Sequence, residues 1–153
     1  MIRFQPITDA DLPFLNKLYA STREEELSVT GWSSKEKTAF LDQQFHAQHT
    51  FYQEQFAKAR FDIIIQDQTP IGRRYIEVRS DEIRLIDIAL LPAYRGQGIG
   101  KTLMEQVLDE GRMHNLPVRI HVEQHNPAMR LYTRLGFEKI GDTGVYFLME
   151  WKP

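Results

Sequence analysis

The stretch from Ile86 to Thr102 restricts the possible folds of this chain more than any other segment. Ile86-Asp87-Ile88-Ala89-Leu90-Leu91 reads as a buried strand, Pro92-Ala93-Tyr94-Arg95-Gly96-Gln97-Gly98 as a glycine-rich turn, and Ile99-Gly100-Lys101-Thr102 as the opening of an amphipathic helix. Gly96, Gly98 and Gly100 let the main chain approach a ligand closely. The first amides of the helix lack an intrahelical acceptor, and the helix dipole favours negative charge at the same spot. The segment therefore reads as a cradle for a pyrophosphate that needs no metal; a tight strand-to-helix turn without a ligand is the plainer alternative.

Glycine spacing narrows the ligand. A Walker loop ending in Gly100-Lys101-Thr102 requires glycine at position 95, where the chain has Arg95. A dinucleotide fingerprint starting at Gly96 or Gly98 requires glycine at 101 or 103, which are Lys101 and Leu103. What remains is Arg-x-x-Gly-x-Gly at Arg95, Gly98 and Gly100, preceded by Pro92 and Tyr94. About two dozen residues further on comes a second element, His125-Asn126-Pro127-Ala128-Met129-Arg130-Leu131-Tyr132-Thr133-Arg134-Leu135-Gly136-Phe137. The two elements, in this order, resemble the coenzyme A elements of the GNAT superfamily of N-acetyltransferases: a glycine loop, then Asn before a short helix that carries Leu-Tyr and ends in Gly-Phe.

The rest of the chain is compatible with that resemblance. A single domain of 153 residues buries about 68 to 70% of its unfolded surface, enough for a core without staples. With no cysteine there is no thiol nucleophile or thiolate metal site, and a reducing cytoplasm is the expected location. Met1 to Pro6 carry no signal-like apolar run, and no stretch approaches the ~20 apolar residues of a membrane span. A net charge of −2 with both signs interspersed gives no footprint for nucleic acid or acidic membrane. His46 and His49 fall three apart on a helix, yet no third ligand stands at a metal-binding spacing, so they read as surface histidines.

Periodicity predicts a strand over 2–7 and a helix capped by Thr8 or Asp9 through Leu12, Leu15, Leu18 and Tyr19, ending at the polar run Ser21 to Glu26. A second helix starts at Ser33 or Ser34 and carries Phe40, Leu41 and Phe45 towards Phe51 or Tyr52, with Phe56 beyond, as core aromatics. Strands follow at 61–66 and 71–78 around a turn at Gln68-Thr69-Pro70. A strand over 82–91, apolar on both faces, is expected to be central and doubly covered. A helix with Ile99, Leu103, Val107 and Leu108 on one face stops before Leu116-Pro117. It is followed by a strand over 118–123, a helix over 127–135 with Pro in its first turn, and strands near 137–140 and 145–151. The order β-α-α-β-β-β-α-β-α-β-β is α/β and resembles the complete GNAT mixed sandwich: one domain over 1–153, a central, splayed, mostly antiparallel sheet and four helices.

The resemblance implies transfer of the acetyl group of acetyl-CoA, as cosubstrate and without metal, directly to an amine. Backbone amides from Arg95, Gly96, Gln97, Gly98, Ile99, Gly100 and Lys101 would hold the pyrophosphate, with the Lys101 cation either adding charge or simply solvated. Main-chain groups of Ile88, Ala89 and Leu90 would pair with the pantetheine arm, an amide near Leu90 facing the thioester carbonyl, where one such donor is worth ~2.7 to 4 kcal/mol. Tyr132 matches the tyrosine that gives a proton to the departing thiolate; its alternative is a core aromatic beside Leu131 and Leu135. Asn126 matches the residue that bonds the pantetheine arm, though it stands six residues before Tyr132 where many relatives have seven, so Gln124 or His125 are its rivals.

On the strand over 118–123, Val118, Ile120 and Val122 alternate with Arg119, His121 and Glu123, which puts His121 on the face where the sheet would splay open. His121 matches the position at which protein N-terminal acetyltransferases of the superfamily carry a basic carboxylate. An imidazole of pKa ~6.5 suits a base at neutral pH. Glu77 and Asp87 are the rival bases, Asp87 reading more plainly as a hydrogen-bonded structural carboxylate. Glu24, Glu25 and Glu26, in the loop that lines the acceptor cleft in relatives, either draw a cationic amine or are merely solvated. The acceptor is a small-molecule or protein amine, with neither nucleic acid nor membrane as partner, and a homodimer is a family habit. The alternatives are a coenzyme A binding module without catalysis and a nucleotide enzyme.

Overall fold

Seven strands and four α-helices follow one another as β1 (Ile2–Pro6), α1 (Leu12–Ser28), α2 (Ser34–Gln55), β2 (Arg60–Gln66), β3 (Thr69–Val78), β4 (Ile83–Leu90), α3 (Ile99–His114), β5 (Val118–Glu123), α4 (Met129–Arg134), β6 (Glu138–Asp142) and β7 (Tyr146–Trp151). The computed structural model describes every residue from Met1 to Pro153, and the order of element types is the one the sequence predicts. The strands are hydrogen-bonded in the order β1-β2-β3-β4-β5-β7-β6. The β1–β2, β5–β7 and β6–β7 pairs are antiparallel, whereas β4 and β5, joined through α3, run parallel, as a helical crossover requires. The contacts group into two compact units: Met1–Arg74 with Ile88–Tyr94, and Tyr75–Asp87 with Arg95–Pro153.

In the first unit, β1 pairs with β2 from Ile2↔Gln66 to Pro6↔Asp62. Leu15 and Tyr19 of α1, Phe45 of α2 and Ile63 and Ile65 of β2 form its core, with Ile7, Leu12, Phe14 and Leu41 packed against them. The Ser33 hydroxyl accepts the Glu36 amide and Glu36 returns to the Ser33 amide, so α2 begins at a capping box. The first helix outruns its expected end. The hydroxyls of Ser21, Thr22 and Ser28 donate to carbonyls three residues back, at 2.6 to 2.7 Å, and Leu27 is buried, so the polar run stays helical. Glu24, Glu25 and Glu26 are therefore on the solvent side of a helix, not in a loop. Phe51, expected in the core, is 55% exposed. The β2–β3 turn falls at Asp67-Gln68, both with positive φ (49° and 72°), the conformation that matches the twist of a two-residue hairpin.

In the second unit, α3 buries Ile99, Leu103, Met104, Val107 and Leu108 along one face and ends at Asn115 in the left-handed conformation. β5 alternates as expected: Val118, Ile120 and Val122 are buried, Arg119 is half-buried, and His121 and Glu123 are exposed. Two expectations are corrected. Only Ile83 and Leu85 of β4 are fully buried, and its pairing with β5 ends at Leu85↔Ile120, so the strand is not covered along its whole length. α4 starts at Met129, because the Asn126 side-chain oxygen accepts the Ala128 amide at 2.8 Å and the Asn126 carbonyl accepts the Met129 amide at 3.0 Å. That turn holds Pro127 ahead of the helix.

Candidate functional site

The glycine loop of the second unit has the conformation a cradle needs. Gly96 (φ +72°) and Gly98 (φ +81°) are left-handed, a region that costs an L-residue roughly 1–2 kcal/mol. Gly98 is the N-cap of α3, and its carbonyl accepts both the amide and the hydroxyl of Thr102 at 3.1 Å. With no side chain at the cap, the amides that open α3 have no partner one turn back. A Cβ placed on Gly96, Gly98 or Gly100 would meet no atom within 4 Å, so the space beside each is open. A bound pyrophosphate fits these residues: bare amides, room beside the main chain, and the positive end of a helix dipole. Lys101 lies 3.9 Å from Glu105, both well exposed, a pair worth little on its own.

Tyr132 is 4% exposed on α4, with its ring centroid 5.7 Å from that of Phe137. Burial first, and then the charge of Asp87, push its pKa up to about 12. The phenol thus stays protonated at neutral pH while packing as a core aromatic. The Asn126 oxygen is occupied by its turn, and Gln124 donates to the Gly144 carbonyl at 2.8 Å; His125 is exposed.

The base candidates lie in a network of charges. Glu77 is ion-paired with Arg79, which also reaches Glu82 at 3.2 Å. Glu82, buried, pairs at 3.2 Å with Arg84, and Arg84 Nη1 stands 2.9 Å from Nδ1 of His121. Partial burial of the ring, then the Arg84 charge, lower the His121 pKa, with Glu82 opposing. Because a guanidinium only donates, the Nδ1 lone pair is the acceptor in this contact. Sequence reasoning passed over Arg84, Glu82 and Arg79. Their signal was a run of alternating charges, Glu77-x-Arg79-x-x-Glu82-x-Arg84, interrupting apolar strands.

In the first unit, Ile88, Ala89 and Leu90 end β4, half-buried. The Leu91 amide donates to the Ile71 carbonyl at 2.8 Å, and any Cβ on Gly72 would overlap the Ala89 carbonyl oxygen, so glycine is required there by close backbone approach. His46 lies 3.5 Å from Asp42 and His49 stacks on Phe45, and no cluster of three or more His, Asp or Glu side chains forms a potential metal site.

The strand order, the parallel β4–β5 pair crossed by α3 and the left-handed glycine loop at the start of α3 define a mixed α/β protein. The chain matches the model of the acetyltransferase (GNAT) family over residues 17–137 and belongs to that family. It is similar to the [ribosomal protein bS18]-alanine N-acetyltransferase of Haemophilus influenzae, 30% identical over 78 residues that cover 50% of this chain and 53% of the relative. It is also similar to the 5-NmdU N-acetyltransferase of Pseudomonas phage PaMx11, 32% identical over 79 residues, 49% of this chain and 56% of the relative. The matched stretch thus spans about half the length of each. The crystal structure of PaiA N-acetyltransferase from Thermoplasma acidophilum in complex with coenzyme A shares the fold, with a TM-score of 0.74 at 19% identity over 100% of this chain and 99% of that one.

Proposed function

We propose that this protein transfers the acetyl group of acetyl-CoA to an amine. The observation that carries the reading is the loop of Gly96 and Gly98, left-handed and open, feeding the uncapped amides of α3. In this reading the amides from Arg95 to Lys101 bind the pyrophosphate, and the Asn126 Nδ2 group bonds the pantetheine arm. Acetyl-CoA supplies an activated thioester. The amine, having lost a proton to solvent, attacks the carbonyl carbon; the C–S bond breaks, Tyr132 gives its proton to the sulfur, and the second proton of the nitrogen restores the phenol through water.

Glu77 and His121 are each bound to an arginine, which favours solvent over either as the first proton acceptor. The family model spans residues of both units, which supports reading 1–153 as one domain. A cytoplasmic setting belongs to the same proposal, supported by the cysteine-free composition. The acceptor is proposed only as an amine of a protein or a small molecule.

Calorimetric titration with acetyl-CoA, against ATP and NAD, tests the donor, and thiol release over a panel of amines tests the transfer. Selective acetyl-CoA binding with turnover is expected. Binding without turnover on any amine would make the protein a coenzyme A binding module, and no binding would make the glycine loop a plain turn.

A further inference from the structure

A charge network in the second unit lies outside the transfer chemistry proposed above. Glu82 Oε1 lies 3.2 Å from both Arg79 Nη1 and Arg84 Nη2, its Oε2 lies 3.5 Å from Arg119 Nη1, and Arg119 Nε donates to Glu150 at 2.8 Å. Arg84 is thus held at one terminal nitrogen by a buried carboxylate while the other, Nη1, is 2.9 Å from His121 Nδ1. A guanidinium has five N–H donors and no acceptor, so Nδ1 must accept and carries no proton. The single proton of a neutral imidazole then sits on Nε2. A second proton has no place unless Arg84 withdraws from a site where Glu82 holds it.

We infer that Arg84 is a positioning residue that fixes His121 in the Nε2–H tautomer, so that His121 meets the acceptor as a hydrogen-bond donor to an oxygen and not as the base for its ammonium proton. The tautomer follows from the contact itself; the role towards an acceptor rests on the transfer reading above. The substrate class that suits an Nε2–H donor is an amine with a carbonyl or carboxylate oxygen close to the nitrogen. The charged and titratable groups around His121 are Arg84 and Glu82 from the β4 side, Arg119 and Glu123 on its own strand, and Glu150 and Tyr146 on β7, where its register partner Leu148 is apolar.

The test is long-range 1H–15N NMR of the full-length protein labelled with 15N-histidine, with the His121 signals assigned from the His121→Gln spectrum. In the wild type His121 is expected as the Nε2–H tautomer, titrating below the ordinary histidine pKa of ~6.5. In Arg84→Met the tautomer should become mixed and the midpoint should rise. Arg84→Lys, which keeps a cation for Glu82 and so protects the fold, should likewise release the tautomer. A wild-type Nδ1–H tautomer, or a His121 that both variants leave unchanged, overturns the inference.

The second arm compares alaninamide with isopropylamine, which lacks the carbonyl. His121→Gln keeps an N–H near the Nε2 position and should hold the alaninamide-to-isopropylamine ratio of kcat/KM within about threefold of wild type, whereas His121→Ala should lower it by about tenfold or more. If Gln loses as much as Ala on both amines, and the acidic limb of the pH profile vanishes with it, His121 is the base and the donor role is overturned. Turnover of neither amine by wild-type protein that binds acetyl-CoA counts against the transfer reading and overturns the donor role with it, while the tautomer is decided by NMR alone.

Discussion

Asp87 at the end of the second unit's part of β4 acts on the phenol of Tyr132 at long sequence separation: its negative charge adds to burial in keeping the hydroxyl protonated, with a pKa of about 12. The hydroxyl is therefore protonated at neutral pH, while the raised pKa makes it a weaker acid than a free phenol, so the proposed proton transfer to the thiolate has to be tested directly. Tyr132→Phe removes only that proton. Turnover in steady-state kinetics is expected to fall by ~10² or more while acetyl-CoA affinity by calorimetry stays unchanged. Unchanged turnover would take Tyr132 out of the mechanism.

The same pKa has a consequence for stability. The folded value of about 12 lies above the ordinary 10.0, so burial of the neutral phenol contributes fully below pH 10 and is lost as pH rises through about 12. Two units correspond to roughly 3 kcal/mol. Between pH 9 and 12 the Tm of the wild type should therefore drop further than that of Tyr132→Phe, which has nothing to ionise. Parallel declines in the two proteins would contradict the burial of a neutral hydroxyl.

Gly100 separates ligand space from backbone strain. Its φ is not left-handed and a Cβ there meets nothing within 4 Å, whereas Gly98 carries φ +81°. Gly100→Ala should stabilise α3 by up to ~1 kcal/mol in urea denaturation and still weaken acetyl-CoA binding. Gly98→Val should abolish binding and also lower stability by roughly 1–2 kcal/mol through left-handed strain. Undiminished affinity in both would mean that the loop does not cradle the pyrophosphate.

Gly72 tests the first unit. An added Cβ overlaps the Ala89 carbonyl oxygen, which is backbone and cannot swing aside. Gly72→Ala should cost about 3 kcal/mol of unfolding free energy. A Tm equal to wild type would show that the two strands do not approach this closely.

How much of this could be read from the chain depended on the range of the interactions. The helix of Ile99, Leu103, Val107 and Leu108 and the alternation of Val118, Ile120 and Val122 against Arg119, His121 and Glu123 are set by 3.6- and 2-residue periods, and both were legible. The glycine loop was legible because left-handed backbone selects for a residue without Cβ. Local polar bonding was harder. The Ser21, Thr22 and Ser28 hydroxyls satisfy themselves within α1, so a composition that suggests a loop stays helical, and the Asn126 turn shortens α4 although Pro127 suits a first turn.

The sequence by itself determined the order of elements, the glycine loop and which face of β5 carries polar groups, because each is fixed by neighbours within a few residues. Only the tertiary structure decided that Arg84 meets His121, 37 positions away, through the parallel register that sets Arg84 opposite Arg119 and ends at Leu85↔Ile120. It likewise decided that Glu82 is the buried hub of three arginines and that Asp87 biases Tyr132. Strand register and burial set the distance and the dielectric between such groups, and neither quantity is encoded by neighbours along the chain.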